Sequence, residues 1–593
     1  MKKALLAVLG VSLSASLSAQ TQTHYGAAQN ITGQLVLSGT VNLMQLAQAA
    51  QVMGGITERS LGASETGPQT PPAPLRPPIG WHSGPLGSQT PSGQGSVPMQ
   101  SLAISPTNTF GMMGLTHYDQ RNANGGNQFS VEPPNPSIAT GNGMVLEGVN
   151  NAVQVYSTSG TPLLPAVLSS NQVFGVLPAI NRTTGVNGVF PTDMRVFFDS
   201  TINRFFVIQR AQDYASNGNA MSSSHLYLAV SQTKDPTGTY NIYIMDTTNA
   251  THSGCPCFAD FPQIGADQYG FYISSNEFTT TFSSFVDAQI FAISKASFAS
   301  GAATPTMARY IMSDVSGYEF AIQPVTTPPG GAYFLASGGL EYFVSTNSSS
   351  SVDSSLAVWA LANTSSLATA SPALTLSRIN TPILTHTFPG VATEKPGPLA
   401  YGSTLTPPGL VANLDGGDSR VLSAFYSGGR IYTTFSSELA DELGNNVVGG
   451  AYVILSPTYR NNVLAAPVLR QGYLLVQKNH LLRPAIGVTA QGRGAIAMTL
   501  VGPDYYPSAA YLPIDTYSTG ATVQLAAAGT GPEDGFTGYP NQGFPQTGIA
   551  RWGDYSSAAV SADGSIWMTT EFIPTAPRTQ LANWGTFIAQ YIP

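Results

Sequence analysis

Charged residues are scarce in this chain, and their scarcity excludes one large class of partner. Only 9% of the 593 residues are Asp, Glu, Lys or Arg, whereas an ordinary soluble protein has roughly 25%. The formal net charge is -8 and no Lys/Arg-rich run is present, so the chain has no basic patch for neutralising phosphates. We therefore expect no nucleic-acid partner.

Long hydrophobic runs are missing as well. Beyond the N-terminus the sequence has no stretch of about 18 consecutive apolar residues, the length that a membrane-spanning helix needs, so no transmembrane segment is predicted. One short apolar run, 4–13, follows Lys2 and Lys3 and precedes small residues up to Ala19. This pattern is typical of a bacterial secretory signal peptide and predicts export to the periplasm, the cell surface or the medium.

Cysteine occurs only twice, at Cys255 and Cys257. In an exported protein this pair can form a small disulfide ring or remain as two thiols. A structural zinc site needs four ligands, and His252 is the only near neighbour of a suitable type. The spacing therefore favours a disulfide or paired thiols over a metal site.

Familiar catalytic motifs are also missing. The sequence has no Gly-x-Ser-x-Gly elbow in a strand-turn-helix context, no His-Glu-x-x-His helix and no Gly-Lys-Ser/Thr phosphate loop. No cofactor is predicted. Calcium is an alternative at 413–418, where oxygen donors lie on a turn, although an ordinary Asx turn explains the same residues.

Glycine and proline, by contrast, are abundant, with 61 and 43 residues, and they divide the chain into stretches of different character. Residues 54–130 are rich in Pro, Gly and Ser and cannot bury enough apolar surface to fold alone. After them, strands of about four to eight residues alternate with Gly, Asn and Asp turns. The predicted divisions are a signal peptide (1–19), a short N-terminal segment (20–53), a linker or arm (54–130) and a folded body (131–593).

A short sequence motif recurs through that body and predicts its architecture. The motif begins with Pro/Ile or Asp/Arg and continues with a reverse turn and an aromatic-rich strand. The copy at 136–149 is matched almost element for element at 262–275. Repeats of about 40 to 50 residues are typical of four-stranded propeller blades. The predicted fold is all-β, a β-propeller of about seven blades, although six or eight fit the spacing too. We expect terminal strands to complete an early blade and so remove exposed edges.

Several strings in the body resemble a group of secreted bacterial proteins of unknown function. They are Glu132-Pro133-Pro134, Cys255-Pro256-Cys257-Phe258, 502–508 and 551–556. The resemblance covers about 131–593 and implies an exported, propeller-like protein, but it implies no substrate and no site residue.

A second resemblance is to the Asp-box of sialidase-type propellers. Residues 561–567 contain the Ser, Asp and Trp of that motif, with the Gly shifted and the Thr missing. In an Asp-box the Asp and Gly form the turn and the Trp packs between sheets. The resemblance therefore implies a structural role for Asp563 and Trp567.

Arginines lie near the start of several predicted blade strands, and a propeller can bring such positions together at one face or channel. Guanidinium groups there could hold a carboxylate, and neighbouring carboxyl groups could act as the acid and base of a glycosidase, with a tyrosine assisting. The candidate catalytic residues are Arg195, Arg420, Arg483, Arg551, Glu277, Glu571, Asp554 and Tyr555. The alternative is local charge pairing of Asp193 with Arg195, Asp418 with Arg420, and Arg551 with Asp554.

Three tyrosines, Tyr505, Tyr506 and Tyr511, lie in or beside a Pro-rich stretch. If exposed, they would form a platform for sugar rings or peptides, and packing in the core is the alternative.

From the fold analogy and the missing motifs, the leading prediction is non-catalytic recognition of an extracellular carbohydrate or protein ligand. The alternatives are a secreted glycoside hydrolase or lyase acting on an acidic sugar, and a structural cell-surface protein. Convergence of arginines and carboxyl groups would favour an enzyme.

Overall fold

The computed structural model describes residues 21–51, 101–107, 109–182, 184, 188–214, 221–281, 284–312, 316–406, 408–520, 522–539 and 548–593. The predicted signal peptide (1–19), residues 52–53 of the predicted N-terminal segment and residues 54–100 of the predicted arm lie outside these ranges. Within them, no helix has the length and apolar character to cross a membrane.

Strands dominate the described residues, as the short apolar runs between Gly, Asn and Asp turns predict. The N-terminal strands are β1 (Thr23–His24), β2 (Gln29–Asn30), β3 (Leu35–Asn42), β4 (Ala103–Pro106) and β5 (Gly111–Thr116). The next are β6 (Ser137–Gly141), β7 (Met144–Val149), β8 (Ala152–Ser157), β9 (Leu168–Ser169), β10 (Phe190–Asp199), β11 (Arg204–Tyr214), β12 (Met221–Ser231), β13 (Thr239–Asp246), β14 (Cys257–Ala266), β15 (Gly270–Thr279), β16 (Phe285–Ser294), β17 (Met307–Met312), β18 (Gln323–Pro324), β19 (Leu340–Thr346), β20 (Val352–Ala362), β21 (Thr375–Thr387), β22 (Val391–Ala392) and β23 (Asn413–Asp415). The last are β24 (Val421–Ser427), β25 (Arg430–Ala440), β26 (Asn446–Leu455), β27 (Thr458–Arg460), β28 (Val463–Ala465), β29 (Val468–Leu474), β30 (His480–Val488), β31 (Arg493–Val501), β32 (Ser508–Asp515), β33 (Thr522–Ala527), β34 (Ile549–Ala550), β35 (Ser557–Val560), β36 (Ile566–Phe572) and β37 (Gly585–Tyr591).

The helices are few and short. They are α1 (Leu43–Gln51), α2 (His117–Asn122), α3 (Ser170–Phe174) and α4 (Lys295–Ser300), with single 3-10 turns at Ala123–Gly126, Ala336–Gly338, Thr364–Ala368, Gly402–Thr404 and Phe536–Gly538. The predicted all-β class is confirmed.

Most of the described strands belong to seven sheets, each started by consecutive antiparallel strands. We number them sheet I (β6–β9), sheet II (β10–β13), sheet III (β14–β17), sheet IV (β18–β21), sheet V (β24–β26 and β29), sheet VI (β30–β33) and sheet VII (β35–β37). A small sheet joins β22, β23 and β34, and β27 pairs with β28. The first strand of each numbered sheet contacts the first strand of the next, and β35 of sheet VII contacts β6 of sheet I.

The N-terminal strands complete the outer edges of five sheets. β3 pairs with sheet II, β2 with sheet III, β1 with sheet IV, β4 with sheet VI and β5 with sheet VII. Their pairing covers backbone groups that an open edge would leave unsatisfied. Terminal strands therefore complete early sheets, as expected, and N-terminal strands also complete the last two numbered sheets.

Part of the predicted arm also forms strands. Residues 101–106 and 111–116 pair with sheets VI and VII, and Leu115 and His117 are buried. These strands form because the open edges of two distant sheets supply the partners that this Gly- and Pro-containing stretch lacks locally.

Apolar side chains fill the space between neighbouring sheets. Phe206 of sheet II stacks on Phe271 of sheet III with ring centroids 4.4 Å apart. Trp567 of sheet VII is buried among Ile138 and Tyr156 of sheet I. Each fully buried side chain of this size contributes about 1.5 to 3 kcal/mol, so the sheet interfaces form the core.

The turn that resembles an Asp-box has the structural role that the resemblance implies. Asp563 Oδ1 accepts hydrogen bonds from the Ser565 backbone N–H at 2.9 Å and from the Ser565 hydroxyl at 2.7 Å. The buried Trp567 follows this turn and donates to Ser565 Oγ at 3.2 Å.

Candidate functional site

The starts of the first strands carry the same backbone distortion in several sheets. Asp193, Phe261 and Arg483 have φ angles of 58°, 52° and 53°, and a register shift follows each of them in β10, β14 and β30. Such bulges redirect side chains, and non-glycine residues in this region persist only where the surrounding fold holds them. They bring charged side chains from separate sheets together.

We call the resulting group the central charge cluster. Its members are Arg210, Arg420, Arg483, Arg551, Asp193, Asp260, Asp415, Asp418 and Asp554. Arg420 Nη2 lies 2.6 Å from Asp418 Oδ2, and Arg551 Nη2 lies 3.0 Å from Asp554 Oδ2.

The remaining ion pairs of the cluster join different strands. Arg210 pairs with Asp193 and lies 3.2 Å from Asp260 Oδ1, and Arg483 Nη2 lies 3.7 Å from Asp415 Oδ2. Each arginine therefore has a carboxylate partner, as buried charges require.

The local pairs expected from the sequence form in two cases out of three. Asp418 binds Arg420 and Asp554 binds Arg551, but Asp193 binds Arg210 rather than Arg195. Arg210 and Asp260 are the members that sequence reasoning missed. A charged residue inside the apolar strand from Phe205 to Ala211 was the available signal.

Asp554 lies at the centre of these charges and is held ionised. Asn135 Nδ2 donates to its Oδ2 at 2.7 Å, and its own backbone N–H donates to Asn135 Oδ1 at 2.8 Å. Burial alone would raise the pKa of Asp554, but the positive charges of Arg551 and Arg483 hold it below the usual 3.8. The carboxylate is 6% exposed.

Glu571 lies next to the residue before Asp554, and its pKa is shifted in the opposite direction. Its Oε2 accepts a hydrogen bond at 2.8 Å from the backbone N–H of Gly553, the residue before Asp554. Burial, together with the negative charges of Glu132 and Asp554, raises its pKa well above 4.5, and the Gly553 N–H and Arg483 offset this only in part. Glu571 is therefore protonated where Asp554 is ionised.

Among the described residues, two nearby glutamates, Glu132 and Glu394, form no ion pair with an arginine. Glu132 Oε2 accepts from the Thr537 backbone N–H at 3.0 Å and hydroxyl at 2.8 Å, and Thr537 Oγ1 accepts from the Arg551 backbone N–H. Burial raises the pKa of Glu132 to about 7 and that of Glu394 to about 8. Their raised pKa values show the effect of burial on a carboxyl group that has no arginine beside it, in contrast to Asp554.

Arg195 and Tyr555 form a separate contact next to this cluster. The Arg195 guanidinium carbon lies 3.2 Å from the centroid of the Tyr555 ring, and the Tyr555 hydroxyl donates to the Met194 carbonyl at 2.9 Å. Burial raises the pKa of Tyr555 well above 10. The tyrosine is thus a neutral packing partner of Arg195.

Glu277 is not brought to the cluster. It lies on β15 of sheet III, where Ser275 Oγ donates to Oε1 at 2.9 Å. Burial, followed by the charge of Asp287, raises its pKa to about 8. The charged groups that act on it are Asp287 and Arg309, so we separate it from the other candidates.

The three tyrosines do not present one exposed face. Tyr511 is 3% exposed, and its hydroxyl lies 2.6 Å from Thr109 Oγ1. Tyr505 and Tyr506 are half-buried, and the Tyr506 hydroxyl donates to the Pro396 carbonyl. For Tyr511 the structure agrees with the alternative of core packing, because its strand turns the ring towards a hydrophobic core cluster.

Two further predictions concern the cysteine pair and the alternative calcium site at 413–418. Cys255 and Cys257 are joined by a disulfide. Asp415 Oδ1 accepts from the Gly417 backbone N–H at 2.9 Å, which is the expected Asx turn, and Asp418 is committed to Arg420. Among the described residues no group of His, Cys, Asp and Glu has a metal-binding arrangement.

Comparison with known proteins gives structural likeness without sequence relationship. No family model matches the chain, and no curated protein sequence matches it. Similar solved structures include a GH43 endo-arabinanase from Bacillus licheniformis, with 12% identity, 64% of this chain and 93% of that chain covered, and a TM-score of 0.26. Another is an exo-beta-1,3-galactanase from Phanerochaete chrysosporium, with 11% identity, coverages of 66% and 81%, and a TM-score of 0.27.

A Trypanosoma rangeli sialidase in complex with sialic acid is also similar, with 8% identity, coverages of 70% and 56%, and a TM-score of 0.33. With these identities and TM-scores, the likeness assigns no substrate and no residue role to this chain.

The leading prediction of non-catalytic recognition is corrected, because the structure has the feature that was expected of an enzyme. Arginines and carboxyl groups converge, with Arg420, Arg483 and Arg551 all acting on Asp554. Convergence was the feature expected of an enzyme.

Proposed function

We propose that this protein is a glycoside hydrolase whose acid is Glu571 and whose ionised carboxylate is Asp554. The observation that carries the proposal is the position of Glu571, whose Oε2 accepts a hydrogen bond from the backbone N–H of Gly553, the residue before Asp554. Two adjacent carboxyl groups whose pKa values are shifted in opposite directions are suited to acid and base roles at one pH.

The environments of Asp554 and Glu571 explain why one is ionised and the other protonated. Asp554 interacts with Arg551 and Arg483 and is stabilised as an anion. Glu571 is 2% exposed and has one backbone N–H as its donor, so burial favours its protonated form.

The chemistry follows from those protonation states. Glu571 donates its proton to the glycosidic oxygen as the bond between that oxygen and the anomeric carbon breaks. Asp554 either removes a proton from the water that attacks the anomeric carbon, or attacks that carbon itself and is then released by water. Both routes yield a free sugar end and an alcohol, and the configuration of the product tells them apart. Because both groups are nearly fully buried, residues around them must move for a substrate to enter.

The architecture and location that we propose with this activity are a seven-bladed propeller, with sheets I–VII as its blades, and export through the N-terminal signal peptide. The succession of contacts from β6 through β35 and back to β6 supports the count. An extracellular carbohydrate is then the substrate class.

The test is a hydrolysis screen of the purified full-length mature chain on neutral and acidic oligosaccharides, with Glu571→Gln as the variant. The amide oxygen can still accept from Gly553, so the fold should survive, whereas loss of the acid should lower kcat by about 100- to 10,000-fold. Activity in the wild type should also fall as the pH rises through the pKa of Glu571, since the acid is then lost.

The matched control is Glu147→Gln. Glu147 is another buried glutamate on the second strand of a sheet, and burial raises its pKa to about 7, but its partners are Thr569, Thr586, Tyr156 and the Leu115 N–H. This variant should keep full activity. Equal loss in both variants, or no hydrolysis of any substrate by the wild type, would rule out the proposal.

A further inference from the structure

Arg195 lines a cavity whose wall contains none of the residues of the central charge cluster. Its volume is about 100 Å³, and it opens to solvent at its mouth. First strands of several sheets contribute to its wall, through Ser137, Val196, Gln263, Ala424 and Ala558.

Arg195 lines this cavity and is electrostatically different from the arginines of the cluster. Its Nε donates to the Pro262 carbonyl at 3.2 Å and its Nη2 donates to Gln263 Oε1 at 2.7 Å. Among the residues that the structure describes, it forms no direct ion pair. Burial lowers the pKa of Arg195, and the negative charges of Asp193 and Asp554 offset this only in part. Arg195 is 5% exposed, and a buried charge without a direct counter-ion is unfavourable. An anion in the cavity would compensate for it.

Hydroxyl groups along the first strands add hydrogen-bond donors. Ser137 Oγ accepts from the Val196 N–H at 3.0 Å, Ser423 Oγ from the Ile486 N–H at 2.7 Å, and Ser557 Oγ from the Ile138 N–H at 3.2 Å. Because each oxygen is used as an acceptor, its hydrogen is left to donate, and all three serines line the cavity.

The remaining charge in the wall does not oppose an anion. Of the described residues that line the cavity, Asp199 is the only acidic one. Its Oδ2 lies 2.6 Å from Lys295 Nζ, and both side chains are 2% exposed. The carboxylate is therefore neutralised by its own partner.

Aromatic rings form another part of the wall. Phe197, Phe198, Phe425 and Tyr333 line the cavity, and Phe198 is half-buried, so part of its ring is accessible. An apolar ligand body can pack against such rings.

We propose that this cavity binds a small organic carboxylate, with the carboxylate paired to Arg195 and an apolar ring or chain against the aromatic wall. A planar guanidinium suits a two-oxygen anion. The proposal does not depend on the proposed hydrolase activity, because the cavity and the Glu571 site use different residues.

The experiment is calorimetric titration of the full-length mature chain with benzoate, and with benzamide as the uncharged analogue of the same shape. Benzoate should bind with a one-to-one ratio and benzamide should bind at least about tenfold more weakly, which corresponds to about 1.4 kcal/mol. Higher salt should weaken benzoate binding. Equal binding of the two compounds, or no benzoate binding, would overturn the proposal.

The variant is Arg195→Gln, which can still donate a hydrogen bond but carries no charge. It should weaken benzoate binding at least about tenfold and leave benzamide unchanged. The control is Arg309→Gln, which removes a positive charge from sheet III, where Arg309 binds Gln29 and Asn249, and it should bind benzoate as the wild type does. If Arg195→Gln does not fold, Arg195→Lys keeps the charge and should retain benzoate selectivity with weaker binding. Unchanged affinity in the Arg195 variant would contradict the assignment.

Discussion

Arg195 and the arginines of the central charge cluster differ in the partners of their buried charges. Arg210, Arg420, Arg483 and Arg551 all have carboxylate partners. Arg195 lines a cavity, and its direct partners are a backbone carbonyl, an amide and a ring. The difference shows that buried arginines of this protein take different roles according to where their counter-ions are, and the predictions below test that difference.

The largest expected effect is on stability, from removing a paired charge. Asp193→Asn keeps a residue that tolerates the positive φ of 58° but removes the anion that pairs with Arg210. Because Asp260 remains 3.2 Å from Arg210, we expect a loss at the lower end of the range for a broken buried pair, about 3 kcal/mol. Urea unfolding measures it. Asp563→Asn, on an exposed turn, is the control and should lose less than about 1 kcal/mol.

The next prediction concerns a buried carboxyl group without an arginine partner, Glu147, and its effect on how the free energy of unfolding depends on pH. Burial raises the folded pKa of Glu147 from 4.5 to about 7, so the folded state binds more protons between these values. Its contribution to stability is present below pH 4.5 and is lost as the pH rises to 7. The loss is about 3 kcal/mol. Glu147→Gln should reduce the pH dependence of the free energy of unfolding by that amount between pH 4.5 and 7.5, and an unchanged slope would contradict the burial of an ionisable group there.

A smaller effect is expected from removing the unpaired charge. Arg195→Gln loses a ring contact and one hydrogen bond but also relieves a buried charge that has no direct counter-ion. The free energy of unfolding should therefore fall by less than about 2 kcal/mol, and by less than in Asp193→Asn. If the free energy of unfolding fell more in Arg195→Gln than in Asp193→Asn, Arg195 would not differ from the paired arginines of the central charge cluster in the way described.

The smallest effect concerns the hydrogen bonds between first strands. Ser423→Ala removes the oxygen that accepts the Ile486 N–H at 2.7 Å, so we expect a loss of about 1 kcal/mol in the free energy of unfolding. Thermal unfolding, with Ser371→Ala at an exposed position as control, measures it. No change on removing Ser423 would show that this link between sheets V and VI is dispensable.

Much of the local structure could be predicted. The alternation of apolar runs with Asn-Gly and Asp-Gly turns predicted strands such as β6 and β7, because hairpin turns and strand periodicity depend on neighbouring residues. The close pairs Asp418 with Arg420 and Arg551 with Asp554 were also predictable, since their partners are two or three residues apart.

Other contacts could not be predicted, because their partners are far apart in sequence. Arg210 and Asp193 meet across a hairpin, whereas Tyr555 reaches Met194 from the last sheet. The Tyr511 ring was predicted as a candidate surface and is buried, since which face of a strand is covered depends on the neighbouring sheet.

The sequence by itself determined an all-β chain, its turns, and the presence of arginine near the starts of its strands, because turn chemistry and strand alternation act over a few residues. Tertiary structure alone decided that Glu571 lies against Gly553 beside the arginine-bound Asp554, and that Arg195 faces a cavity instead. The physical reason is that desolvation and Coulomb interactions depend on distances through space, and those distances are set only when strands from both ends of the chain pack around the same centre.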